Sequence, residues 1–335
     1  MSSPCAVCGG GTTGCHVVAV VPVFKSEDHI PHVYGFLSEL SRQIPGGIDV
    51  CFVVDGSPDL SIEKIREHRS SFSNRVDIVE LSRNFGTISA LHAGLNHVSH
   101  CVTVVFGSDL QEPESLFIDF VGRVMSGKAD VCLGRRLSRD DPFTMRLFSG
   151  FYWWLNRHFL ENDTPRGGFD VFGISRRARE ALIGLPELNT SITSQLQWIG
   201  FHRVYVPYER RARISGESTW SMRRKFKLFA DSVYGFSGAP IALLTVLGIS
   251  TFFIVSLLSI LTFIGWAAGW VDLPGYTTLV LLIGLSQAVS ISGLGILGGY
   301  LYRTFDNSKG RPQYIVKAVE QNISVTKDDC EQTRF

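Results

Sequence analysis

Apolar positions in the first part of the chain fall into short unbroken runs, and the segments between those runs have helical spacing. The run at 16–24 is rich in valine and stops at Lys25-Ser26-Glu27-Asp28. A stretch that is apolar on both faces predicts a buried parallel strand. Similar runs at 49–54, 76–81, 101–106 and 130–134 predict four more strands, and 30–43, 62–68, 87–96 and 115–125 predict the helices between them. Strands alternating with helices predict an α/β fold, a mostly parallel sheet covered on both faces. Ligands of such sheets sit beyond the carboxyl ends of the strands. Residues 24–27, 55–59, 82–86 and 107–114 are therefore the places to look for chemistry.

The pattern changes after residue 238. Residues 240–270 hold no charged side chain, and neither do 274–302. Each stretch exceeds the roughly 20 apolar residues that cross a hydrocarbon core. Asp272 and Pro274 separate them, which predicts a hairpin of two transmembrane helices over 239–303. Trp266, Trp270 and Tyr276 mark the turn, and Tyr300 and Tyr302 the opposite interface. Arg223, Arg224, Lys225 and Lys227 precede the hairpin, Arg303, Lys309 and Arg311 follow it, and the turn has no basic residue. The positive-inside rule then puts both ends in the cytoplasm, as expected of an integral protein of the cell inner membrane with two spans. Met222, Phe226, Phe229, Val233 and Phe236 share one face of a predicted amphipathic helix over 219–238. That face meets either the headgroup layer or the core of the sheet domain.

Composition adds a few limits. The chain has 335 residues and a formal net charge of +1, so no global basic field points to nucleic acid. Its first sixteen residues are small, polar and Gly-rich, and no secretory signal is expected there. Seven scattered cysteines predict no disulfide framework and fit a reducing compartment. Cys5, Cys8, Cys15 and His16 have zinc-binding chemistry, but their spacing departs from that of the usual fingers. Residues 1–15 are read as a flexible tail, 16–218 as the sheet domain and 304–335 as a cytoplasmic tail.

Two strand ends carry candidate chemistry. Asp55-Gly56-Ser57-Pro58-Asp59 offers a carboxylate beside a turn, suited to a base or ribose, and is also an ordinary Asp-Gly turn. Ser108-Asp109-Leu110-Gln111-Glu112-Pro113-Glu114 offers hard oxygen donors for Mg²⁺ or Mn²⁺ against a diphosphate. Glu112 and Glu114 also suit the positive end of the helix that follows.

Taken in order, these segments resemble the family 2 glycosyltransferases, and more narrowly the polyprenyl-phosphate glycosyltransferases. The resemblance rests on Val21-Pro22-Val23-Phe24, Asp55-Gly56-Ser57-Pro58-Asp59 and Leu81-Ser82-Arg83-Asn84-Phe85-Gly86. It continues through Asp109-Leu110-Gln111-Glu112-Pro113-Glu114, Gly134-Arg135-Arg136-Leu137-Ser138-Arg139, Arg210-Arg211-Ala212-Arg213, Gly216-Glu217-Ser218, the hairpin and Arg311-Pro312-Gln313-Tyr314-Ile315. It implies a GT-A-like domain that moves a sugar from a UDP- or GDP-linked donor to an undecaprenyl or dolichyl phosphate with inversion. By the same resemblance Asp109 and Asp170 look like catalytic carboxylates, and Asp109 with Gln111 the metal ligands. Pro22, Phe24, Glu27, Asp55, Arg83, Asn84 and Ser108 would bind the nucleotide sugar. Arg136, Arg139, Arg210, Arg213 and Ser218 would meet the acceptor phosphate. The expected partners are the nucleotide sugar, the lipid and the membrane, with a homo-oligomer possible in principle and no nucleic acid.

The chain departs from the family pattern at Gly107, where the first carboxylate of the metal motif is missing, at Phe24-Lys25-Ser26 and at Val54-Asp55. A non-catalytic homologue acting as a scaffold or lipid-binding partner is one alternative. A processive polysaccharide synthase is another, but Gln195-Leu196-Gln197-Trp198 lacks the arginine of that group's motif.

Overall fold

The computed structural model describes residues 16–137, 169–185, 192–211 and 275–321, with part of 246–269. The first strands and helices alternate as predicted: β1 (Val17–Val23), α1 (Ile30–Gln43), β2 (Asp49–Val54), α2 (Ser61–Arg69), β3 (Val76–Leu81), α3 (Thr87–His97), β4 (Val102–Val105), α4 (Glu114–Met125) and β5 (Val131–Arg136). Then come β6 (Phe169–Ser175), α5 (Arg176–Ile183), α6 (Ile192–Trp198), β7 (Arg203–Tyr208), the long α7 (Tyr276–Ser308) and β8 (Val316–Glu320).

Eight strands form one sheet in the order β7-β5-β6-β4-β1-β2-β3-β8. The run β4-β1-β2-β3 is parallel throughout, while β6 and β8 pair antiparallel with their neighbours. The mostly parallel sheet is therefore as expected. Strands β6, β7 and β8 were not predicted, and β8 lies within the stretch read as a tail. Both faces are covered. Helices α1 and α4 pack Leu37, Leu40, Phe117 and Phe120 on one side, and α3 and α5 pack Leu91, Leu95 and Leu182 on the other. Strand order reverses at β1, whose neighbours are β2 and β4. Such a switch point opens a crevice at the carboxyl ends of the two diverging strands.

Cys101 is disulfide-bonded, where the scattered cysteines predict no disulfide framework, and its partner lies outside the described residues. Cys51 and Cys132 are free and buried. Helix α7 is 33 residues long, about 50 Å at 1.5 Å per residue. Its window Leu282–Ser308 has a mean hydropathy of 1.5 and none of it is buried, so by length and composition it can cross a membrane. About half of the first apolar stretch and all of the amphipathic segment fall among residues that are not described, although 246–251 are helical.

Candidate active site at the switch point

The ends of β1 and β4 are stitched together by serines. Ser26 is buried; its hydroxyl shares a 2.9 Å hydrogen bond with that of Ser108, and its backbone N–H donates to Ser61 Oγ at 3.0 Å. Two non-glycine residues among those described have a positive φ, Lys25 (52°) and Leu110 (49°). They occupy the loops that leave β1 and β4. Left-handed backbone at such residues costs of order 1–3 kcal/mol and clusters at functional sites. The buried side chain of Leu110 joins the core, which anchors this turn of the loop.

Beyond β2, every carboxylate is held by protein. Asp55 is 3% exposed, and its two oxygens accept from the N–H groups of Phe85 (2.7 Å) and Gly86 (2.8 Å) at the start of α3. A Cβ on Gly56 would lie 2.3 Å from the Arg83 carbonyl carbon, so only glycine allows the two turns to approach this closely. Asp59 accepts from the hydroxyls of Ser57 (2.5 Å) and Ser61 (2.7 Å) and from the N–H of Glu27 (3.2 Å). Burial pushes its carboxyl up, yet these donors together hold it below the usual range. Glu27 in turn accepts from the N–H of Leu60, the residue preceding α2, at 2.9 Å. The structure therefore gives Asp55 and Glu27 bracing contacts.

Beyond β4 the pattern is different. Asp109 is about a quarter exposed, and Arg210 approaches its Oδ2 to 3.9 Å. Its Oδ1 lies 2.9 Å from where a Cβ on Gly107 would be. The surviving carboxylate thus leans over the position of the missing one. Gln111 is buried, and its amide nitrogen donates to the Arg211 carbonyl at 3.4 Å. Glu112 is 3% exposed, and its Oε2 has no hydrogen-bond partner among the described residues. Burial and then the charge of Asp109 push its carboxyl up to about 7, while Arg210 and Arg136 pull it down. Arg136 donates to the Tyr208 hydroxyl at 3.4 Å. Burial, and then the like charge of Arg136, lower the basicity of Arg210. Two carboxylates and two guanidiniums thus share one partly desolvated corner.

Of the predicted residues, the structure brings together Asp109, Gln111, Arg136 and Arg210. Ser108 joins them through Ser26, and Pro22 lies in β1 opposite Val53. Arg83 is exposed and lies over the Phe85 ring at 4.1 Å, with Asn84 beside it, and Phe24 is exposed at the end of β1. Asp170 belongs to β6. Arg139, Arg213 and Ser218 lie outside the described residues. Sequence reasoning missed Glu112 as a member of the site and assigned it to the helix dipole. Helix α4 begins only at Glu114, which instead pairs with Arg211 at 2.9 Å. It also missed Tyr208.

The donor set at the β4 end is oxygen throughout, the chemistry that suits Mg²⁺ or Mn²⁺. Among the described residues no three His, Cys, Asp or Glu side chains gather to hold an ion unaided. A metal here would need further oxygens from a ligand.

Comparison with known proteins bears on the same segments. The profile of Glycosyl transferase family 2 matches residues 18–180. The uncharacterized glycosyltransferase YkcC of Bacillus subtilis is 30% identical over 305 residues, 89% of this chain and 92% of the relative. The bactoprenol glucosyl transferase of Shigella phage SfV is 29% identical over 303 residues, 90% of this chain and 98% of the relative. Among solved structures, glucosyl-3-phosphoglycerate synthase from Mycobacterium tuberculosis aligns with a TM-score of 0.46 at 19% identity, over 65% of this chain and 80% of that one.

Proposed function

The chain belongs to glycosyl transferase family 2, and on that basis we propose that it moves a hexose from a UDP- or GDP-linked donor to a polyprenyl phosphate, giving a monophosphate-linked lipid sugar. The observation that carries this reading is the corner beyond β4, where Asp109 and Glu112 face Arg136 and Arg210. Transfer between two phosphates needs both signs of charge: oxygens that share a cation with the diphosphate, and guanidiniums for the acceptor. The similarity to a bactoprenol glucosyl transferase over nearly that protein's whole length supports a lipid phosphate as the acceptor.

In this reading Asp109, Gln111 and the unpartnered oxygen of Glu112 would hold Mg²⁺ or Mn²⁺ together with the donor diphosphate. When bound, the ion neutralises charge on the leaving diphosphate. Arg136 and Arg210, with Arg139, Arg213 and Ser218, orient the lipid phosphate; the planar guanidinium fork matches its oxygens. A phosphate monoester has its second pKa near 6, so the attacking oxygen is already ionised and needs no strong base. The chain's task is then positioning and charge balance, with inversion at the anomeric carbon. Asp55 and Glu27 act by fixing the loops on which the nucleotide rests.

The same reading gives a catalytic domain over 16–218, an interfacial helix over 219–238 and two inner-membrane spans over 239–303, with the catalytic domain on the cytoplasmic side. The exposed apolar surface of α7 supports membrane association. Full-length protein in bilayers, given a panel of radiolabelled nucleotide sugars and one polyprenyl phosphate, is expected to move label from one donor into an acid-labile lipid. Label released only as free sugar, or lipid labelling indifferent to added polyprenyl phosphate, would overturn the proposal.

A further inference from the structure

We propose that the cavity between α3, the end of α5 and the segment following α7 is a second anion site, which takes a phosphate-bearing group. Its volume is about 370 Å³, within the range of small-ligand sites. No residue of the catalytic corner lines it. Arg311 does, and it has no ion-pair partner among the described residues. Among the described residues no carboxylate lines the cavity, and the acid nearest to Arg311 in sequence, Asp306, is held by Lys309 at 3.2 Å. His92 forms part of the wall. Its Nε2 is engaged by the fully buried Gln195 at 3.0 Å, and burial lowers its basicity, so it adds no charge. Among the described residues the cavity's one fixed cation is therefore Arg311.

The hydrogen-bonding groups suit an anion as well. Asn96 donates from Nδ2 to the Tyr314 hydroxyl at 3.0 Å, which leaves the hydroxyl proton to be donated elsewhere. An arginine fork with a nearby hydroxyl donor fits phosphate oxygens. Ile183 and Leu185 make an apolar wall, room for the carbon stem that carries the phosphate. Arg311 follows the end of α7 by three residues, a reach of at most about 10 Å. The group could come from a phospholipid head or from a soluble phosphate ester, and the lipid source rests on the reading of α7 as a membrane span. Occupancy would brace the segment that hands α7 to the sheet. The Ile315 carbonyl there accepts from the Ser82 N–H at 2.9 Å, just ahead of the turn that holds Asp55.

The test uses full-length protein in phosphatidylcholine nanodiscs. Inorganic phosphate and glycerol 3-phosphate are titrated calorimetrically, and nanodiscs containing phosphatidylglycerol are scored for lipid retained in native mass spectra. At least one source is expected to bind, and Arg311→Ala should weaken it about tenfold or more. Lys309→Ala, which removes a charge outside the cavity, should change it less than about twofold. Soluble ligands binding alone assigns the site to a phosphate ester, and lipid retention alone assigns it to a headgroup. Should Arg311→Ala fail to fold, Leu185→Trp, which fills the cavity, is expected to abolish the same binding. No binding from either source, or equal loss in the Arg311 and Lys309 variants, overturns the proposal. None of these readouts passes through sugar transfer, so a protein that binds here but transfers nothing would count only against the proposed function.

Discussion

The loops beyond β2 and β4 leave the same sheet and both carry carboxylates, but the protein treats them oppositely. At the β2 end, Asp55 takes two backbone N–H groups and Asp59 takes two hydroxyls. At the β4 end, Glu112 keeps a buried oxygen with no hydrogen-bond partner among the described residues, and the Arg210 guanidinium stands 3.9 Å from Asp109 Oδ2. Buried polar groups are almost always paired, so an exception asks for an explanation. A satisfied carboxylate builds architecture; an unsatisfied one is poised for a ligand. The resemblance implies that Asp55 meets the nucleotide and Asp109 the metal, and the surroundings of the two carboxylates differ as well.

That contrast predicts a split between activity and stability. Asp109→Asn is expected to lower transfer by about 100- to 1,000-fold, the usual effect of removing one electrostatic contact to a developing charge. Its thermal midpoint should stay close to wild type, because the side chain is about a quarter exposed and isosteric asparagine keeps its packing. Asp55→Asn should do the reverse in kind, destabilising the fold by about 2–4 kcal/mol through one orphaned N–H and the loss of charge assistance. Urea denaturation of both variants checks the pair, and a destabilised Asp109→Asn with a fully stable Asp55→Asn would break the comparison.

A smaller and more diagnostic effect lies in pH. The folded state raises the Glu112 carboxyl from its ordinary range to about 7. It therefore binds a proton more tightly than the unfolded chain, and its contribution is present below about pH 4 and lost as pH rises to 7. Glu112→Gln should remove this slope and stabilise the protein above pH 7 by up to about 3 kcal/mol. Asp59 has the opposite sign. Its depressed carboxyl contributes stability above the unfolded value, about 3.9, that is lost as pH falls through the folded one. Asp59→Asn should cost about 1 kcal/mol at neutral pH, reduced by solvent screening. Stability profiles against pH for the two variants that bend the same way would contradict the contrast.

The sequence shows the central sheet well and its edges poorly. Residues 30–43, 49–54 and 76–81 coincide with α1, β2 and β3, because strands buried on both faces must be continuous apolar runs and helices facing them must be amphipathic. Strand β7 carries Pro207 and β8 alternates with exposed positions, as the two edges of a sheet can. Neither has a local signal strong enough to predict it. The site divides in the same way. Asp109, Gln111, Arg136 and Arg210 are legible as motif residues. The burial of Glu112 depends on groups from β5 and from β7, some hundred residues on, and only the closed sheet brings them beside it.

In the proposed function the β4 end, and not the β2 end, takes the cation and the nucleotide diphosphate. Electron paramagnetic resonance titration of Mn²⁺ into full-length protein with UDP or GDP tests it without relying on turnover. Wild type is expected to bind Mn²⁺ in a nucleotide-dependent way, folded Asp59→Asn to keep that binding and Asp109→Asn to lose it. Unchanged Mn²⁺ binding in Asp109→Asn, or its loss in a folded Asp59→Asn, would rule out a cation site at the β4 end.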